Sequence, residues 1–248
     1  MITQTIEIKT ADGICDAFIA HPTSGAHPAV ILYMDAFGLR PYLEQMAKKI
    51  AEQGYFVLVP NLFYRIKRAP VTDLKFPLKP EDMVEAVQKI IPLARGHDPQ
   101  LTMNDVNSFF GYLGKHSSVR HGKMGITGYC MGGSLALRTA AAFPDQVAAA
   151  ASYHAGNLAS EAPHSPHLLL SKIKAKIYVA HADHDSSMPV EQIERFQNAL
   201  SDSKANGKAE LYSNALHGFT MEDLPAFNAE ALDRHWKTLF ELLQSELN

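Results

Sequence analysis

One of the two cysteines in this 248-residue chain, Cys130, stands where a thiol can act as a nucleophile. It is the centre of Gly128-Tyr129-Cys130-Met131-Gly132, with Lys123-Met124-Gly125-Ile126-Thr127 before it and Gly133-Ser134-Leu135-Ala136 after it. A short strand, a glycine-flanked turn and the opening of a helix form the setting of a nucleophile elbow, here with sulfur in place of a hydroxyl oxygen. The glycines are there for steric reasons, because the sharp turn strains the nucleophile's backbone and brings strand and helix so close that side chains would collide. The helix, expected from about Gly132 to Phe143 and stopped by Pro144, aims its positive end at the sulfur and favours an anion there. A buried, inert cysteine in a tight turn is the plainer reading. Other residues must decide between the two.

A thiol nucleophile needs a base, and the base needs a group that orients it. His217, in Ala215-Leu216-His217-Gly218-Phe219, follows the last expected strand and is the candidate base. Asp183 and Asp185 share the loop Ala182-Asp183-His184-Asp185-Ser186-Ser187-Met188-Pro189. The pattern small-x-x-Asp-x-x-apolar-Pro selects Asp185 as the carboxylate that holds His217 in the working tautomer, leaving Asp183 as a loop or capping residue. Nucleophile, acid, histidine is also the chain order of α/β-hydrolase triads. His181, Asp183, His184 and Asp185 match none of the usual zinc spacings, so no metal is expected. The backbone amides of Met131 and Ala36 occupy the positions of the two oxyanion donors.

These residues require a scaffold that brings strand ends together. Ile2 to Lys9 and Ile14 to Ala20 alternate around the turn Ala11-Asp12-Gly13, which predicts an antiparallel edge hairpin with Cys15 in a structural place. Pro28 to Met34 and Tyr55 to Val59 read as strands buried on both faces, joined by a helix carrying Leu43, Met46, Ala47 and Ile50. Residues 61–100 mix prolines, basic residues and aromatics and read as an excursion over the carboxyl edge of the sheet, either a cover for the active site or an ordinary long surface connection, with a helix from Pro80 to Ala94 disturbed at its end by Pro92. The Thr102 and Asp105 spacing predicts a capping box opening the next helix. Further strands are expected at Val147–Tyr153, Ala175–His181 and Lys208–Ser213, and helices at Val190–Ser203 and from Pro225. The alternation predicts an α/β fold, a mostly parallel doubly wound sheet with helices on both faces, in a single domain over residues 1–248. Ligands bind beyond the carboxyl ends of such strands, where all the candidate groups fall.

Composition narrows the partners. A net charge of −3 gives no basic footprint for nucleic acid or an anionic membrane surface. The N-terminus lacks the layout of a signal peptide, no apolar run approaches a membrane span, and two cysteines are too few for a disulfide framework. A cytoplasmic protein, monomeric or a small homo-oligomer, is expected.

Gly128-Tyr129-Cys130-Met131-Gly132-Gly133, Asp35-Ala36-Phe37-Gly38-Leu39, Pro60-Asn61-Leu62-Phe63-Tyr64-Arg65, Asp185 with Pro189, and His217-Gly218-Phe219 together resemble the dienelactone hydrolase (carboxymethylenebutenolidase) family over nearly the whole chain. The resemblance implies an α/β-hydrolase fold with a cysteine triad, acting on ester or lactone bonds of small molecules without a cofactor. Two positions depart from the family's pattern. Asp35 stands where the family usually carries a glutamate that engages the nucleophile, so Asp35 is expected to keep Cys130 protonated until substrate arrives. Thr220-Met221-Glu222-Asp223 lacks the arginine expected after the histidine to hold a substrate carboxylate. Arg65 is the candidate to compensate, and Tyr64, Phe37 and His154 are the other candidates for lining the pocket. A ligand-binding or thiol-sensing protein on the same fold is the rival from another class.

Overall fold

The computed structural model describes all residues from Met1 to Asn248. Residues 1–122 with 223–225 form one compact unit, and residues 123–222 with 226–248 form another.

In the first unit, β1 (Ile2–Lys9) and β2 (Ile14–His21) make the expected antiparallel hairpin, with Ile2 opposite His21 and Lys9 opposite Ile14. β1 is exposed along most of its length, whereas β2 is buried because β4 (Phe56–Pro60) pairs antiparallel on its other side. β4 lies parallel to β3 (Ala29–Tyr33), and α1 (Pro41–Ala51) is the crossover between them. Leu43, Met46, Ala47 and Ile50 are all buried, as the spacing of one helical stripe demands.

The helix expected from Pro80 opens as a 3-10 turn at Pro80–Asp82 and continues as α2 (Met83–Gly96), two residues past Ala94 and with Pro92 inside it. Most of α2 faces water, so solvent can serve the carbonyl that the proline leaves unbonded. The next helix, α3 (Pro99–Lys115), is capped by Asp98, whose carboxylate accepts from the Gln100 N–H at 2.8 Å. Thr102 and Asp105 are not caps but buried residues within the helix; their spacing of three reflects a shared helical face.

In the second unit, β5 (Met124–Tyr129), β6 (Val147–Tyr153), β7 (Lys176–His184) and β8 (Gly207–Leu216) lie side by side in that order, all parallel. α4 (Met131–Ala142) packs on β5 and β6, α5 (Val190–Ser203) on β8, and α6 (Ala229–Leu247) on β5, β6 and β7. Strand β6 and helix α5 have the predicted bounds. α6 begins four residues beyond Pro225, where the Asn228 side chain accepts from the Ala231 N–H at 3.0 Å. A 3-10 segment at Pro166–Lys172 had no recognised signal. β7 and β8 each run three residues past their predicted ends, because Ala182-Asp183-His184 and Asn214-Ala215-Leu216 carry loop-type composition but continue the ladder across a bulge. This extension pairs His184 with Leu216, so the next residues along the two strands, Asp185 and His217, are neighbours. No helix is long and apolar enough to cross a membrane.

Candidate active site

Cys130 lies between the last residue of β5 and the first of α4 with φ 54° and ψ −119°, a region that residues with side chains rarely adopt. The surrounding glycines enforce the turn. A Cβ on Gly128 would stand 2.0 Å from the Gly132 carbonyl oxygen, and one on Gly133 would stand 2.6 Å from Ser152 Oγ and 2.8 Å from Ala155 Cβ. The Cys130 N–H donates to the Tyr153 carbonyl at 3.1 Å, tying the elbow to the neighbouring strand end. Helix α4 begins at Met131, one residue earlier than predicted, so Cys130 occupies its N-cap position and the Met131 amide is the first of its free N–H groups.

His217 and Asp185 complete the cluster. His217 Nδ1–H donates to Asp185 Oδ2 at 2.6 Å, and the carboxylate is almost fully buried while the imidazole is about one-third exposed. Burial pulls the His217 pKa down, yet the negative field of Cys130, its hydrogen bond and the Asp185 carboxylate override it and hold the imidazole well above its ordinary 6.5. For Asp185, burial raises the pKa, and the His217 and Ser187 hydrogen bonds outweigh it and lower the carboxyl below its ordinary 3.8. The carboxylate is thus ionised and the imidazole sits between two groups that favour its charged form.

The preference for Asp185 over Asp183 has a structural reason. Asp183 Oδ2 and Oδ1 accept from the backbone N–H groups of Asn214, at 2.7 Å, and Ala215, at 2.9 Å. It therefore braces the strand that delivers His217 instead of touching the ring. His181 is buried edge-on to Phe196, and His184 is exposed, so the four polar residues of this segment face different surroundings. Ser187 is a site residue that the sequence did not reveal. Its N–H and Oγ–H donate to Asp185 Oδ1 at 2.8 and 2.6 Å, and Oγ lies 3.3 Å from His217 Nδ1. Gly156 makes room for it, since a Cβ there would come within 2.3 Å of Ser187 Oγ.

His154, at the end of β6, is 1% exposed, with its ring edge-to-face against His217 at 5.4 Å between centroids. It lies beside His217 and away from solvent.

Within the first unit, the remaining candidates are held by their own partners. Asp35 is gripped by Arg40, with Nη1 to Oδ1 at 2.7 Å and Nη2 to Oδ2 at 2.9 Å, and Oδ1 also accepts from the Phe37 N–H at 2.9 Å. Arg40 in turn binds Asp223 through Nε at 2.7 Å and Nη2 at 3.1 Å, with its guanidinium near the Phe37 and Phe76 rings. Asp35 is thus one member of a buried ion-pair cluster, and Phe37 is part of its apolar wall. Ala36 is buried in the loop between them. Arg65 is committed to Asp105 and Asp12, at 2.8 and 2.6 Å, and Tyr64 to Thr10 and Asp105, at 2.7 and 3.0 Å. A guanidinium neutralised by two carboxylates is a structural cation and not a free one.

Both cysteines are free thiols, but their surroundings differ. Cys15 is fully buried, and burial pushes its thiol pKa up, so it neither meets reagents nor ionises. Iodoacetamide is therefore expected to modify one thiol in the native protein, at Cys130, and two after unfolding, as counted by intact mass. Two equivalents in the folded state would contradict the burial of Cys15.

The titration of the His217–Asp185 pair makes stability depend on pH. The native pKa of His217 is above 6.5, so the stability it contributes is full below that pH and is lost as pH rises through the native value. The Asp185 contribution is full above 3.8 and is lost as pH falls through its lowered native value. The Tm gap between the protein and a His217→Gln variant should be widest between about pH 4 and 6.5 and narrow towards alkaline pH. A gap that grows with alkalinity would be incompatible with these signs.

Likeness to known proteins extends along nearly the whole chain. The model of the dienelactone hydrolase family matches residues 15–247. A carboxymethylenebutenolidase of Rhodococcus opacus is 27% identical over 203 residues, covering 81% of this chain and 73% of its own. A Synechocystis sp. protein provisionally given the same name is 27% identical over 233 residues, covering 93% of this chain and 91% of its own. Among solved structures, dienelactone hydrolase from Anabaena variabilis superposes with a TM-score of 0.70 at 16% identity, covering 100% of this chain and 99% of that one. A Klebsiella pneumoniae protein provisionally described as a dienelactone hydrolase gives 0.84 at 19%, covering 98% of each chain. The structural likeness establishes the fold, and the match of the family model establishes the lineage: this protein is an α/β-fold hydrolase belonging to the dienelactone hydrolase family.

Proposed function

We propose that the chain is a cysteine-dependent hydrolase of carboxylic esters or lactones that works through an acyl-enzyme. The observation that carries this reading is the buried Asp185 carboxylate 2.6 Å from His217 Nδ1, with the Cys130 sulfur holding the same imidazole towards its protonated form. His217 takes the thiol proton, and Cys130 Sγ attacks the substrate carbonyl carbon. The carbonyl oxygen becomes an oxyanion and accepts from the Met131 amide at the start of α4. The tetrahedral intermediate collapses, the C–O bond breaks, and the imidazolium returns its proton to the departing alkoxide. The product is a thioester on Cys130; for a lactone, the freed hydroxyl stays attached to the acyl chain. Water, deprotonated by His217, then attacks the thioester, and Sγ leaves with the carboxylic acid released. Asp185 holds the proton of His217 on Nδ1 throughout, so that Nε2 is free to accept.

The names of the relatives point to a lactone substrate of the carboxymethylenebutenolide type. The segment Thr220-Met221-Glu222-Asp223 has no cation, and Arg65 is already paired, so a substrate without a carboxylate suits this chain at least as well. A panel of aryl esters and lactones, run on the wild-type protein and on Cys130→Ala, tests the reading. Turnover lost in the variant, with a burst of alcohol in the wild type, supports it. Hydrolysis unchanged by Cys130→Ala refutes it.

A further inference from the structure

His154 is placed in a way that neither the triad nor packing alone explains. It follows β6, whose last residue Tyr153 pairs with Tyr129 of β5 on one side and with Ala180 of β7 on the other. Its own N–H donates to the Ala180 carbonyl at 2.9 Å. The residue has φ 40°, a left-handed conformation that costs a side-chain-bearing residue energy unless its surroundings hold it there. Its imidazole is buried, edge-on to His217 and also edge-on to Phe219 at 5.1 Å. Nε2 lies 2.7 Å from Thr220 Oγ1, a buried hydrogen bond between the two side chains.

The consequence is a bolt across the site. The loop that carries the base, from His217 to Thr220, is fastened at its far end to the strand that lies between the nucleophile's strand and the acid's. The same ring that makes the bond also stands as a wall against His217 in a T-shaped contact. We propose that His154 is a positioning residue: through its hydrogen bond to Thr220 and its edge contact with His217, it fixes the direction in which the imidazole presents Nε2 to Cys130. Burial acts first on His154 itself, and with the nearby His217 and His235 it keeps the ring neutral, so this wall brings no positive charge that would compete with the imidazolium.

The kinetic arm of the test rests on the cysteine-hydrolase reading, but a second arm does not. Thr220→Val keeps the shape of the side chain and removes the hydroxyl, Thr220→Ser restores it, and His154→Phe keeps the wall but removes the bond. In each variant two quantities are measured on folded protein: the rate at which iodoacetamide alkylates Cys130 at neutral pH, and kcat and KM for an ester that the wild type turns over. Thr220→Val and His154→Phe should each lower the alkylation rate and kcat by about fivefold to tenfold, the size of one lost hydrogen bond, with KM within about twofold. Thr220→Ser should recover most of the loss, and the double variant should lose little more than either single one. The inference is overturned if Thr220→Val alkylates and turns over like the wild type, if Thr220→Ser is as impaired as Thr220→Val, or if the rate losses merely follow the fraction unfolded by thermal melt. Should the wild type hydrolyse no ester, the proposed function fails, and the alkylation arm still decides the role of His154.

Discussion

Asp185→Asn is expected to lower kcat by about three to four powers of ten while leaving the fold in place. The size follows from which end of the amide faces the histidine. In the native site, Ser187 directs two donors, its N–H and its hydroxyl, at Asp185 Oδ1, and His217 directs one at Oδ2. An asparagine must turn its single oxygen towards the two Ser187 donors, which leaves its NH2 group facing His217 Nδ1. That nitrogen then has to accept, the imidazole proton moves to Nε2, and the ring can no longer take a proton from Cys130. Single-turnover acylation is the appropriate measurement, since it isolates the step in which, under the proposed mechanism, His217 acts as base. Asp183→Asn is the control, expected to cost less than about tenfold, because its two partners are backbone amides and an amide oxygen still serves one of them. If Asp183→Asn were the more damaging change, the assignment of the acid would be wrong.

The second large effect concerns stability. Arg40→Leu is expected to destabilise the protein by about 3–5 kcal/mol in chemical denaturation, because it strands two carboxylates away from water. Arg40 is 4% exposed, Asp35 3% and Asp223 8%, and one guanidinium supplies four short bonds to the two acids. The attraction of Asp35 and Asp223 outweighs the burial that would otherwise lower the Arg40 pKa, so the charge persists. The loss reflects the unpaired acids more than the missing cation. Adding Asp35→Asn and Asp223→Asn to Arg40→Leu should therefore recover a substantial part of it. Arg40→Lys should recover less than half, since an ammonium cannot reproduce the two-sided fork. A triple variant no more stable than Arg40→Leu would show that the cost lies in packing against Phe37 and Phe76 instead.

These two cases also show where the sequence was legible. The elbow could be read because steric necessity writes glycine at 128 and 133, and the distances a Cβ would have there are far below contact. His217 and Asp185 could be placed because an alternating fold sends chemistry to strand ends. What could not be read depended on contacts between distant residues. Nothing near Arg40 foretells Asp223, 183 positions later, and nothing near Arg65 foretells Asp105. Those partners lie too far along the chain for the residues around Arg65 or Asp35 to announce them. Asp105 misleads for a local reason as well. A capping box and a buried helical stripe share a spacing of three, and the start of α3 at Pro99, capped by Asp98, separates them. Ser187 and the His154–Thr220 bond stay hidden because serine and threonine are so common in loops that neither stands out before the chain is folded.

The shape of the elbow is imposed from outside the residue at its apex. Gly128 and Gly133 set how closely strand and helix approach, and the Cys130 backbone is fastened to Tyr153 through its N–H, so the main chain around it holds φ at 54°. Reactivity is in this sense modular. A Cys130→Ser change, one nucleotide away in the codon, is therefore expected to leave the peptide trace unchanged.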